Sequence, residues 1–166
     1  NLEGYLQDRF AEAVLKTCIH YGPIALAKPD DYEARANLMW AGSWALEGLL
    51  QLGKPVGSTV HPMEHQLSAY YDITHGAGLA LLTPAWMTYV LSDKTVDKFK
   101  EYGVNVWGIS PDQDKWEIAK DAIAKTKAFF QSLHMPSTLR EVNIPADKLD
   151  EMAQKAAVGL GGAYVP

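Results

Sequence analysis

The spacing of apolar residues constrains this chain most: it recurs every three or four positions along nearly the whole length and never settles into the alternation of a strand. Leu6, Phe10, Val14 and Cys18 stand four apart, and Gly22-Pro23 is expected to close that first helix. Asp30, with Glu33 three residues on, has a capping-box pattern for a second helix through Leu38, Trp40, Trp44, Leu46, Leu49 and Leu50 to Gly53. Its apolar positions nearly encircle it, which predicts a central, buried helix with Ala41, Gly42 and Gly48 permitting close contacts. Further helices are expected over 61–70, over about 75–91 with a kink or restart at Pro84, and over about 93–102 ending at Gly103. Ser110-Pro111 is expected to open a long helix to about His134 with Trp116, Ile118, Ala122, Ile123, Phe129 and Phe130 on its buried side; a last helix covers about 146–157. Val104 to Trp107 is too short for a strand, and the reading is an all-α, multi-helix single domain spanning 1–166.

Composition removes several function classes. A net charge of −5 without a basic stripe gives a nucleic-acid partner nothing to hold phosphates with. No apolar run approaches the roughly 20 residues that span a bilayer, so no membrane role is expected. A single cysteine, Cys18, excludes an internal disulfide and fits a reducing, cytoplasmic setting. With no cation cluster near it, Cys18 reads as a small buried hydrophobe rather than a nucleophile. The chain opens on Asn1 rather than Met, which suggests a trimmed chain.

The chemistry concentrates in three histidines within fifteen residues, His61, His65 and His75. Neutral imidazole suits borderline metals such as zinc and iron(II). His61 and His65, four apart, would share one helix face and could hold one ion together. His75 would lie about 21 Å from His61 along one straight helix, beyond the reach of a shared ion. If the two meet, the chain must break and return at Tyr71-Asp72-Ile73-Thr74, with Asp72 or Thr74 capping the new helix and Gly76 and Gly78 letting its first turn approach closely. The residues alone leave both arrangements, and ordinary surface histidines, open. Glu64 directly precedes the second histidine, so the zinc-protease pattern is absent, as are the cysteines of a structural zinc site. Gly76-Ala77-Gly78 lacks the preceding strand of a dinucleotide fingerprint, and Ser58, Ser68 and Ser110 lack a nucleophile's context.

Residues 61–87, HPMEHQLSAYYDITHGAGLALLTPAWM, resemble the iron-containing (group III) alcohol dehydrogenases, nearest their butanol dehydrogenase branch. DYEARANLMWAGSWALEGL at 31–49, VWGISPDQDKWEIAKDAI at 106–123 and SLHMPSTLREVNI at 132–144 extend the resemblance over essentially the whole chain. It implies the C-terminal helical domain of an enzyme that interconverts primary alcohols and aldehydes. A divalent metal (Fe2+ or Zn2+) would sit in that domain, NAD(P)H in a separate N-terminal domain, and the enzyme would be a homodimer or larger. Of the family's four ligands, an Asp and three His, the last two match His61 and His75, while His65 matches a histidine near nicotinamide and substrate. The Asp and first His form a DxxxH pair with no counterpart here, since His20 has Lys16 four residues earlier. Val56-Gly57-Ser58 replaces an Asp-Trp-containing turn of many relatives. The 166-residue chain alone is therefore expected to be inactive. The alternatives are a glycerol dehydrogenase-like relative, a dehydroquinate synthase-like one, and a non-catalytic helical assembly domain.

Overall fold

The computed structural model describes residues 4–52 and 59–159, and all regular structure among them is helical. The helices are α1 (Tyr5–Ala27), α2 (Tyr32–Leu46), α3 (Val60–Tyr71), α4 (His75–Val90), α5 (Val96–Trp107), α6 (Lys115–Ser132) and α7 (Leu149–Gly159), with 3-10 turns at Leu49–Gln51 and Leu139–Val142. The expected stop at Gly53 and the Val56-Gly57-Ser58 turn lie outside the described residues. The chain divides into two compact units, Asn1–Val56 with Leu91–Lys125 and Gly57–Val90 with Thr126–Pro166.

In the first unit α1 packs along α2 and touches α5. Asp8 on α1 is 7% exposed and forms an ion pair with Lys98 of α5. Asn105 Nδ2 donates to Glu12 Oε1 at 2.9 Å between the same two helices. A small core of Ile109, Ile118 and Ala122 is flanked by Tyr102, Val104 and Trp107. Ile118, Ala122 and Ile123 are buried on α6 as the periodicity anticipates, with Ala119 beside them, whereas Trp116, Phe129 and Phe130 are only half-buried.

Several expected boundaries and roles move. α1 does not stop at Gly22-Pro23 but carries Pro23 inside and ends at Ala27. Proline forfeits one helical hydrogen bond, and packing against α2, with Tyr21 Oη donating to Glu33 at 2.9 Å, holds the helix together past it. The cap of α2 is Asp31 rather than Asp30, its carboxylate accepting from Ala34 N at 2.9 Å. α2 ends at Leu46, and it is not buried all round: only Ala34 and Ala41 are, while Tyr32, Met39, Trp40 and Leu46 stand exposed. Within its unit α2 is covered from the side of α1 and the 3-10 turn, so an encircling apolar pattern leaves side chains over. Gly103 does not end α5. The helix continues to Trp107 and is closed by Gly108 at φ 66°, while Gly103 instead lets Ile118 approach. α6 begins at Lys115 rather than at Pro111, because Asp114 Oδ1 accepts from Trp116 N and Glu117 N and so satisfies two otherwise unpaired donors.

In the second unit α3 packs against α4 and α7. Leu67, Ile144 and Met152 are buried together, with Tyr70, Tyr71, Ile73, Leu82, Leu139 and Val142 around them. Each such large apolar side chain contributes roughly 1.5–3 kcal/mol on burial. α4 carries Pro84 inside it, so the helix does not restart there. The core thus fixes α3 by its Leu67 side, and His61 and His65 stand exposed on another face of that helix.

Candidate metal centre

α3 ends where the sequence needed it to. Asp72 adopts φ 53°, a left-handed conformation, and its N–H donates to Ser68 O at 2.9 Å. Asp72 therefore closes α3 rather than opening α4. Thr74 stands at the start of α4, its carbonyl accepting from Ala77 N at 2.9 Å and Gly78 N at 3.0 Å. Three residues of non-helical chain reverse the path, and His75 returns beside the start of α3.

The three imidazoles meet. Ring centroids are 5.4 Å apart for His61 and His75, 5.4 Å for His65 and His75, and 6.1 Å for His61 and His65. All three residues are exposed, on one surface of the second unit. Beneath them Glu64 is 0% exposed. Its Oε2 accepts from His75 Nδ1, and its Oε1 accepts from Ser68 Oγ at 2.5 Å. Gly78 in α4 leaves the space this side chain fills, since a Cβ there would stand 2.7 Å from Glu64 Oε1. Gly76, also expected to ease a close approach, has nothing within 4 Å of where a Cβ would be.

Ligand atoms of Glu64, His65 and His75 fall within 4.8 Å of one another. Imidazole nitrogens with a carboxylate behind them are the donor chemistry of zinc and iron(II) sites, so the residues present fit such an ion. The cluster differs from the pair that the family resemblance implies, His61 with His75. Glu64 has both oxygens engaged and no solvent exposure, which favours imidazoles as the groups facing an ion. In the sequence Glu64 is marked by its place directly before His65, which excludes the protease motif and leaves it a candidate to complete the site, but its burial beneath the histidines is not visible there. The available signal was Glu64 and Ser68 standing four apart beside the histidine stripe, opposite a glycine in the next helix.

Gly76-Ala77-Gly78 lies within the first turns of α4, as helix packing rather than a phosphate loop. Trp40 and Trp44 stack edge to face at 6.3 Å, and Phe10 stacks on Trp44 at 6.1 Å. Trp40, expected in the core, is 66% exposed. Cys18 is half-buried, and burial pushes its thiol up, away from the nucleophilic form.

The chain belongs to the Fe-containing alcohol dehydrogenase family, whose C-terminal family model matches residues 4–163. It is 61% identical over 158 residues to NADH-dependent butanol dehydrogenase A of Clostridium acetobutylicum, covering 95% of this chain and 41% of that protein. It is 35% identical to the NADPH-dependent aldehyde reductase YqhD of Escherichia coli, covering 93% of this chain and 39% of that protein. The substrate- and cofactor-free structure of YqhD superposes with a TM-score of 0.88 at 32% identity, covering 98% of this chain and 42% of that one. The structure of NADH-dependent butanol dehydrogenase A from Thermotoga maritima gives 0.84 at 34% identity, over 92% and 38%. The chain thus spans about two fifths of the length of the curated relatives it matches. Among the described residues no helix is long and apolar enough to cross a membrane.

Proposed function

We propose that residues 1–166 act as a single helical metal-binding domain of an enzyme that interconverts primary alcohols and aldehydes with NAD(P)H. The observation that carries this reading is the convergence of three imidazoles over a buried carboxylate, in a chain 61% identical to a butanol dehydrogenase. His61 and His75 would hold a divalent metal, zinc or iron(II), through ring nitrogens. When bound, the metal supplies Lewis-acid polarisation of the substrate oxygen, and the nicotinamide supplies or accepts the hydride. His65 sits 5.4 Å from His75 by ring centroid and exposed, where it can exchange the hydroxyl proton or orient the substrate. The apolar character of α4, which carries Leu79 and Trp86, suits a short aliphatic substrate.

Substitution in the complete enzyme tests the division of labour. His75→Ala should lower bound metal greatly, measured by elemental analysis of the purified protein. His65→Ala should retain metal and lower turnover, by about 10²–10⁴-fold for a lost acid–base group. Equal loss of metal in the two variants would make His65 a ligand. Full metal retention in His75→Ala would remove the reading, and a metal-free native enzyme would favour a non-catalytic assembly domain.

A further inference from the structure

We propose that Glu64 is the positioning residue of this metal centre: it holds the Nδ1 edge of His75 so that Nε2 faces the ion, and Gly78 is without a side chain to make room for it. The inference rests on the reading of His75 as a ligand. Glu64 is a carboxylate with 0% exposure, and burying such a group is costly unless hydrogen bonds satisfy it. Here they do. Oε2 accepts from His75 Nδ1, and Oε1 accepts from Ser68 Oγ at 2.5 Å. Ser68 Oγ also lies 2.9 Å from the Ile73 carbonyl, which ties this serine to the turn that brings His75 back.

An imidazole that donates through Nδ1 keeps its free lone pair on Nε2, so the carboxylate selects the ring tautomer that can bind a metal. The ring is also fixed in rotation, because its donor edge points inward to Glu64. The rings of His61 and His65, each 5.4 Å away by centroid, surround what remains. Gly78 completes the unit. A Cβ there would meet Glu64 Oε1 at 2.7 Å and Cγ at 2.8 Å, contacts that would drive the carboxylate from its place. Three segments therefore agree on one geometry: Glu64 and Ser68 on α3, Ile73 in the turn, and Gly78 one turn beyond His75 on α4.

The test uses the complete enzyme with cobalt(II) as the probe, its affinity measured by competition with a chromogenic chelator and its ligand-field spectrum recorded alongside. Glu64→Ala should weaken cobalt by about 10–100-fold, the range for lost outer-shell partners, and shift the spectrum. Glu64→Gln keeps an amide oxygen able to accept from Nδ1–H and should recover most of the affinity. Gly78→Ala should weaken cobalt about as much as Glu64→Ala, yet weaken it no further when Glu64 is already Ala, because the obstructed group is gone. Glu64→Ala with native affinity and spectrum, beside a His75→Ala that loses cobalt, would overturn the positioning role and leave the ligand reading standing. Glu64→Gln losing as much as His75→Ala would make Glu64 a direct ligand, which also overturns it. Native affinity in His75→Ala would remove the ligand reading itself, and the role of Glu64 with it.

Discussion

Asp8 sits on α1 with 7% exposure and forms an ion pair with Lys98 from α5. Lys98 also bonds Glu101 at 2.8 Å, one turn away on its own helix. Burial pulls the Lys98 ammonium down, and the hydrogen bonds to Asp8 and Glu101 more than offset it, leaving it raised. Replacing Lys98 by Met strips a buried carboxylate of a charged donor. Because the lysine side chain is 36% exposed, solvent softens the loss, and we expect a cost of about 1 kcal/mol in urea unfolding. A substitution that left the unfolding midpoint unchanged would mean that the pair is neutral. Neither Asp8 nor Glu64 stood out in the sequence as an interior residue. A lone acidic letter in an amphipathic repeat reads as solvated until a partner distant along the chain, such as Lys98, is seen to meet it.

At the scale of helices, two contacts invite measurement. Gly103 lies within α5, and a Cβ there would stand 2.6 Å from Ile118 Cγ2 and 3.1 Å from the Ile118 carbonyl. Alanine is the better helix former by about 1 kcal/mol, but overpacking against α6 costs about 1–3 kcal/mol. Gly103→Ala should therefore destabilise on balance, and a raised melting temperature would refute the close approach. In the second unit Glu151 of α7 accepts from Tyr70 Oη of α3 at 2.6 Å and from Lys155 Nζ at 3.0 Å. The Tyr70 hydrogen bond first and the Lys155 one next hold the carboxyl at about 2, below its ordinary 4.5. A lowered value stabilises the fold above the ordinary one and is lost as protons bind on the way down. Acid unfolding between about pH 4.5 and 2 should thus be less steep in Glu151→Gln than in the native chain, followed by circular dichroism. Helix existence was legible throughout from period and turn residues. Boundaries were not, where one local signal competed with another. Pro23 and Gly103 both read as stops, but inter-helix contact outweighed local preference at each.

Among the described residues, the buried clusters of the two units, Leu67, Ile144 and Met152 in one and Ile109, Ile118 and Ala122 in the other, contain no histidine or carboxylate. On the proposed assignment His61 and His75 would supply two imidazoles, and no DxxxH pair occurs in the sequence to add a carboxylate and a third ring. A site of two neutral ligands open on the remaining sides binds an ion loosely. Titrated calorimetrically with zinc or iron(II), the isolated chain should bind weakly, and its thermal melt should be the same with and without chelator. Stoichiometric tight binding would mean that His65 or Glu64 completes the site, and a melt that collapses with chelator would make the ion structural.

The sequence by itself determined that the chain is helical, which family it belongs to, and that three of its histidines gather in residues 61–75, because those properties are written in local spacing and in a specific run of residues. It also required a break between His61 and His75 if the two were to meet, since a straight helix would hold them about 21 Å apart. Tertiary structure decided the rest. Only packing of α4 against α3 placed Glu64 under His75 and matched Gly78 to its carboxylate, and only the fold left Trp40 and Met39 exposed on a helix whose pattern called for burial. Burial depends on what lies opposite a residue in space. Periodicity reports which residues share a face, and cannot report what that face meets.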